Sequence, residues 1–378
     1  MIYLNVFFNS ILYIGDFIVK ICTVIGARPQ FIKAAAVSSK IIELKNKYDI
    51  EEVIIHTGQH YDALMSDIFF NQLNIPKEKY NINVGSGSHA VQTAKMLEKI
   101  EKIIISEKPD IVLTYGDTNS TLAGVLTASK LNIKTAHIEA GMRSFNRQMP
   151  EEINRVVTDH LSDLNFCSTQ SAVQNLKNEG RGETAYLTGD VMYDCALKFI
   201  NTAEKNSNPL KMLGFEKSSY ILMTCHRAEN TDSYENLKEI IEGVNNAAEL
   251  ISVLYPIHPR TAKMIKEFDL KFSEKVKIID PLSYFDMLIL EKNAAIILTD
   301  SGGVQKEAFF FKTPCITMRN ETEWTETVDE QMNILTGPSG IKITDAVKKF
   351  LSAPIKNSNL QPYGNGNASE KIIDIIMA

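Results

Sequence analysis

Residues 110–141 read DIVLTYGDTNSTLAGVLTASKLNIKTAHIEAG. The opening run DIVLTYG (110–116) is almost wholly apolar and β-prone. Residues 118–131 change period and read as a helix, and KTAHIEA (134–140) returns to strand chemistry. Strand, crossover helix and strand make a βαβ unit, whose two strands lie parallel in one sheet. Strands this apolar are covered by helices on both faces.

The same rhythm runs outward. KICTVIG (20–26), EVIIHT (52–57) and DLNFCS (163–168) read as further strands, with helical patterns at 29–45, 89–107 and 151–160. It restarts after about residue 205 with SYILMTC (219–225), SVLYPI (252–257), KVKIID (275–280), AAIILTD (294–300) and PCITMR (314–319). The polar stretch 201–218, with its Asn, Ser, Pro and Gly, reads as a linker. The expectation is an α/β chain of two Rossmann-type domains with parallel sheets, spanning 19–200 and 219–360. In the segment 361–378, Gly364 and Gly366 set a turn and Asn367 or Ser369 caps an apolar helix, which is expected to cross back to the first domain. Ligands of such sheets bind outside the carboxyl ends of the strands, so the cleft between the halves is the expected site.

Residues 1–18 stand apart. This apolar stretch lacks a basic leader and a cleavage site, and Asn5, Asn9 and Asp16 interrupt it as a membrane span. VKICTVIGARP looks like the natural beginning of the first strand, so Val19 is the expected native start, with a true appendage as the alternative.

The chain has 378 residues, enough for two domains, and 44% hydrophobic with 23% charged residues is ordinary globular composition. A net charge of -6 without a Lys/Arg-rich run argues against a nucleic-acid partner, and no membrane insertion is expected. Five cysteines without a CxxC pair read as buried reduced thiols, which fits a reducing cytoplasm. The histidines are scattered, so no metal site is expected, and GxGxxG is absent after the first strand, so no dinucleotide cofactor is expected either.

Several strand ends carry chemistry. Gly26-Ala27-Arg28-Pro29 closes the first strand, with Lys33 one turn later; Arg28 and Lys33 beside a helix N-terminus suit a diphosphate, though a basic helix surface has the same look. Asp300-Ser301-Gly302-Gly303 opens another helix, where Ser301 can cap, Gly302 allows close backbone approach and Glu307 can accept from ribose hydroxyls. Asp117, Glu139 and Glu151 sit at or after strand ends and can converge to move protons at carbon, one with a pKa raised by its neighbours. Asp117 can equally cap its helix, and Glu151 suits any helix start. His226 after SYILMTC and His258 one strand later can serve a leaving phosphate, or be simply solvated.

VIGARPQFIKAA (24–35), HTGQHYD (56–62), YGDTNSTLAG (115–124), HIEAGMRSFN (137–146), MPEEINR (149–155), TGDVMYD (188–194), CHRAEN (225–230), ILTDSGGVQKEA (297–308) and QPYGNG (361–366) follow one another in order. Together they resemble the non-hydrolysing UDP-N-acetylglucosamine 2-epimerase family. The resemblance implies the GT-B arrangement of two Rossmann domains, a UDP-linked 2-acetamido sugar as partner, no cofactor and a homodimer. It implies elimination of UDP to a 2-acetamidoglucal and re-addition. Asp117, Glu139, Glu151 and His226 fall at catalytic positions, and Arg28, Lys33, Ser301, Gly302, Glu307 and Arg319 at positions that hold UDP. Gln59 and His258 fall near a second, activating site.

Departures from the family pattern are Ala27 and Gln30 in GARPQ, Met149 before Pro150, Ala228 after His226-Arg227, and Leu282. GARPQF and RQMPEE resemble the branch acting on UDP-2,3-diacetamido-2,3-dideoxy-glucuronate, whose carboxylate would want a cation such as Arg143 or Arg147. A GT-B glycosyltransferase, a hydrolysing epimerase and a UDP-sugar sensor are the alternatives.

Overall fold

The computed structural model describes residues 18–59, 75–353 and 361–378; residues 1–17 of the N-terminal stretch and part of HTGQHYD lie outside them. Among the described residues there are two wholly parallel sheets. The first contains β1 (Val19–Ile25), β2 (Ile50–His56), β3 (Tyr80–Asn81), β4 (Ile111–Tyr115), β5 (Lys134–Ala140), β6 (Leu164–Cys167) and β7 (Ala185–Leu187), in the order β3-β2-β1-β4-β5-β6-β7. The second contains β8 (Tyr220–Thr224), β9 (Ser252–Pro256), β10 (Val276–Ile279), β11 (Ile296–Thr299), β12 (Cys315–Thr317) and β13 (Asn333–Leu335), in the order β10-β9-β8-β11-β12-β13. The two-domain parallel α/β fold expected from the sequence is therefore present. All ten strand candidates are strands; β3, β7 and β13, of two or three residues each, carry too short a pattern to be read.

Burial explains the apolar runs. On β1, Ile21 and Ile25 join the core under the helix Arg28–Leu44, while Cys22 and Val24 join the core under His89–Glu107 and Asn119–Lys130. On β8, Met223 and Leu222 likewise enter opposite cores. With both faces dry, alternation disappears and nearly every residue is apolar. All five cysteines are buried and free.

The polar stretch 201–218 is largely ordered as helix: its first residues finish Val191–Asn206, and Pro209–Leu213 follows. The helix Ala368–Ile376 buries Ile372, Ile373 and Ile376 in the first-half core and ties Asp374 to Lys47 and the Tyr48 hydroxyl, each at 2.9 Å. Asn367 occupies its N-cap position, but Asp194 does the capping, accepting from Ala368 N at 3.1 Å and Ser369 N at 2.7 Å.

In each sheet the strand order reverses once, between β1 and β4 and between β8 and β11. Loops leave such a point in opposite directions and open a crevice at the carboxyl ends of the strands. The segments following β1 and β4, and those following β8 and β11, are the motifs singled out above.

Candidate active site

The first crevice is built tightly. At Gly26 an added Cβ would lie 1.9 Å from Thr57 Oγ1 and 2.4 Å from Ser120 Oγ, so only glycine fits. Gln30 accepts from Gly26 N at 2.8 Å and Ala27 N at 3.0 Å, and donates to the Tyr115 carbonyl at 2.9 Å and Thr121 Oγ1 at 3.0 Å. An ionised carboxylate has no proton for the last two bonds, which accounts for Gln rather than Glu at this position. β4 ends in Gly116, at φ 62, and Asp117, and Thr118 caps Asn119–Lys130.

Asp117 and Glu151 line one concavity of about 180 Å³ with Ala27, Pro29, Gln59 and His89. Glu151 is exposed at the start of Pro150–Leu161, whereas Glu152 turns inward and accepts from Ser144 N at 2.9 Å and Phe145 N at 3.0 Å. Asn154 donates to the Asp117 carbonyl at 2.9 Å. Arg155 pairs with the Asp117 carboxylate, reaches Glu152 at 3.1 Å, and lies 4.0 Å from Glu323 of the second half. Arg28 opens the helix Arg28–Leu44, but its side chain is outside the described residues.

Glu139 sits where the β5–β6 register shifts, at φ 70, a backbone conformation a glutamate adopts only when its surroundings enforce it. Its Oε1 pairs with Lys33, and its Oε2 receives Lys306 at 2.6 Å; Lys306 also meets Asp190 at 2.7 Å. Burial works to raise the Glu139 carboxyl, but the charges of Lys306 and Lys33 overcome it and hold the group down at about 2. Glu139 is therefore not a carboxyl raised by its neighbours, because its neighbours are cations. Lys33, expected at a diphosphate, is itself buried and committed to Glu139.

In the second crevice the buried Asp300 accepts from the backbone N–H groups of His226 and Arg227 and from Asn230 Nδ2 at 3.2 Å. The exposed His226 ring has Nδ1 3.5 Å from Asp300, and its centroid is 5.9 Å from that of His258. Ser301 caps Gly302–Phe310, accepting from Val304 N, and the next residue, Gly302, begins the helix, where a Cβ would stand 3.2 Å from Trp324 Nε1. Two residues expected at the nucleotide are buried. Glu307 is buried beside Tyr284, whose phenol burial and that carboxylate push well up. Arg319 is buried against Glu323, at 3.0 and 3.1 Å, and with Arg155 it overcomes the burial that would raise Glu323, holding that carboxyl at about 2.

The halves are joined across the crevice by Lys306–Glu139, by Asn146–Glu321 at 3.1 Å and by Ser171–Glu326. Lys306, Asp190, Arg155 and Glu323 escaped sequence reasoning, although three of them lie inside the quoted strings SGGVQKEA, TGDVMYD and MPEEINR. Lys306 and Asp190 pair with each other from distant segments, as Arg155 does with Asp117, and no local pattern announces such a pairing. Arg143, considered for a substrate carboxylate, is buried and saturated by Asp159 at 2.6 Å and Glu179 at 2.7 Å; Arg147 is exposed. Gln59 accepts from Ser120 N and Oγ in the first crevice, while His258 caps Pro259–Glu267 in the second half. Among the described residues no three His, Cys, Asp or Glu side chains group as metal ligands, and no helix is long and apolar enough to cross a membrane.

Comparison with known proteins agrees in sequence and in fold. The family model of UDP-N-acetylglucosamine 2-epimerase matches residues 42–377. A UDP-N-acetylglucosamine 2-epimerase homolog of Methanococcus maripaludis is 52% identical over 362 residues, 94% of this chain and 99% of its own. The UDP-2,3-diacetamido-2,3-dideoxy-D-glucuronate 2-epimerase of Pseudomonas aeruginosa is 48% identical over 361 residues, 94% of this chain and 99% of its own. The crystal structure of Methanocaldococcus jannaschii UDP-GlcNAc 2-epimerase in complex with UDP-GlcNAc and UDP superposes with a TM-score of 0.87 at 46% identity, covering 95% of this chain and 99% of that one.

Proposed function

This chain belongs to the UDP-N-acetylglucosamine 2-epimerase family, and from that membership we propose that it interconverts UDP-N-acetylglucosamine and UDP-N-acetylmannosamine by eliminating UDP and adding it back. It is a sugar-nucleotide epimerase, hence an isomerase. In the forward step a carboxylate takes the C2 proton, the C2–H electron pair forms the C1–C2 double bond, and the C1–O pair leaves with UDP. In the return step a UDP oxygen attacks C1 and a second acid delivers a proton to the opposite face of C2. No oxidant is consumed.

The observation that carries this reading is that Asp117 and Glu151 face one concavity beside the helix N-terminus at Ala27–Pro29. Proton-moving groups then stand next to backbone N–H groups suited to a departing diphosphate. Glu139, ionised between two lysines, is the third carboxylate of the set. His226, oriented by Asp300, and the amides behind Ser301 and Gly302 serve the nucleotide from the other half. Arg28 at its helix start supports the same charge.

Incubation with UDP-N-acetylglucosamine in D2O, followed by NMR at C2, tests the reading. Solvent deuterium at C2 of both epimers, with UDP still linked, is expected. Free UDP with released sugar, or epimers without deuterium, would contradict it. A second reading, the diacetamido-glucuronate substrate, is favoured by GARPQF, RQMPEE and the 48% relative, with exposed Arg147 available to a uronate. Exchange with that sugar nucleotide alone would move the substrate and keep the chemistry. The same proposal places the enzyme in a reducing cytoplasm, supported by five free buried thiols, and makes it a homodimer, with a solution mass of twice 42.4 kDa.

A further inference from the structure

Lys306 begins in the second half and ends in the first. It lies one turn into Gly302–Phe310, yet its ammonium group is 2.6 Å from Glu139 Oε2 and 2.7 Å from Asp190 Oδ2. The ring of Trp324 covers it at 4.1 Å, and the side chain is 1% exposed. A buried ammonium is retained only where partners repay its desolvation, and here its hydrogens are divided between two carboxylates and an aromatic face. Lys33 takes the other Glu139 oxygen, so each oxygen of that carboxylate is gripped by one lysine, and the two lysines come from different halves.

We infer that Lys306 is a positioning residue for the proton transfer at C2: reaching across the crevice, it holds the Glu139 carboxylate in one orientation and in its charged form, so that a group of the first half is completed by a cation of the second. The inference rests on the reading that Glu139 takes part at C2. The groups facing Glu139 are Lys33 from Arg28–Leu44, Lys306 from Gly302–Phe310 and, through Lys306, Asp190 at the start of Val191–Asn206. Gly116 of the β4 end completes the enclosure: a Cβ there would stand 2.9 Å from Lys33 Nζ and 3.5 Å from Glu139 Oε1. Tyr363 is close enough to feel the same charge, and burial keeps its phenol neutral across the working range. Within β5 itself, the His137 ring is taken up by Asp159 at 2.7 Å and the Gly116 carbonyl at 2.6 Å.

The test is the pH dependence of kcat/KM for epimerisation, from about pH 3 to 9, in Lys306→Met, Lys306→Arg and Glu139→Gln beside the wild type. Removing a cation at contact distance raises a carboxyl by about one to three pH units. The acid limb of Lys306→Met, set by a Glu139 carboxyl that rises from about 2 to about 3–5, should therefore move upward into this range, with activity recovering at higher pH, while Lys306→Arg stays near the wild-type limb. A merely structural lysine would instead lower activity by one factor at every pH, and that result would overturn the inference. Trp324, the single tryptophan of the chain, reports by its emission whether the cage around position 306 has kept its fold. Should Lys306→Met unfold, the double variant Lys306→Met/Asp190→Asn removes both charges together, leaves no unpaired ion at position 190, and should show the same upward limb; an unmoved limb there overturns the inference. Glu139→Gln separates the two claims. Wild-type turnover in Glu139→Gln would remove Glu139 from the chemistry, whereas a dead Glu139→Gln beside an unmoved limb would remove Lys306 alone.

Discussion

Asp117 and Glu151 are the residues whose chemistry can be isolated most cleanly, since both face the concavity and neither is part of the hydrophobic core. Asp117→Asn and Glu151→Gln should each lower turnover by about a hundred- to ten-thousandfold, with little change of melting temperature in Glu151→Gln and a lower one in Asp117→Asn, which loses its pair with the buried Arg155; wild-type rates in both would take them out of the site. Glu139 behaves otherwise, because it is also structural. Losing its charge leaves Lys33 and Lys306 short of a partner, and breaking a buried pair of this kind costs about 3–5 kcal/mol. The sign of the pH effect follows from a carboxyl held at about 2 against an ordinary 4.5, with Glu323 held similarly. A depressed carboxyl contributes its stability fully above about pH 4.5, and that stability drains away as pH falls toward 2. Thermal melts of Glu139→Gln should thus start lower at neutral pH and depend less on pH through that window. At this scale the sequence announced the strand-end carboxylates but not their charge states. Glu139 shows why: Lys33 and Lys306 are 106 and 167 residues from it, and no local pattern encodes them.

The elements that aim these side chains are helix starts at two strand-order reversals. Ser301 holds the first turn of Gly302–Phe310, so Ser301→Ala should cost about 1 kcal/mol of stability and weaken UDP binding measured by calorimetry, with a larger effect on binding than on melting. Unchanged UDP affinity would detach that helix from the nucleotide. Gly26 plays the corresponding part in the first half by closeness rather than capping. Gly26→Ala forces a methyl into the Thr57–Ser120 hydrogen bond, itself 2.8 Å long, and should destabilise by about 1–3 kcal/mol. Strands and helix starts were legible because both-face burial and capping leave local marks, as in DIVLTYG and DSGG. The C-terminal helix cap was not, because Asp194, and not the adjacent Asn367, supplies it from another helix.

At the scale of the molecule, two parallel sheets present their switch points to each other, and the last helix returns to the first half. Asp194→Ala should loosen that return: hydrogen exchange should quicken over residues 368–376 before it quickens in β1 or β4, and a uniform change across the chain would argue against a separate tether. The two-domain plan was readable because the βαβ rhythm stops and restarts. The pairing of one half's residues with the other's was not, since Lys306–Glu139 and Asn146–Glu321 depend on how two finished units dock. In the proposed reaction the C1–O bond to UDP breaks in the crevice between them while both fragments stay bound. Substrate carrying ¹⁸O in the bridge between C1 and the β-phosphorus tests it directly by ³¹P NMR. The label should spread into the non-bridging β-phosphate positions of recovered starting material during epimerisation; epimerisation with the label fixed in the bridge would rule out cleavage of that bond.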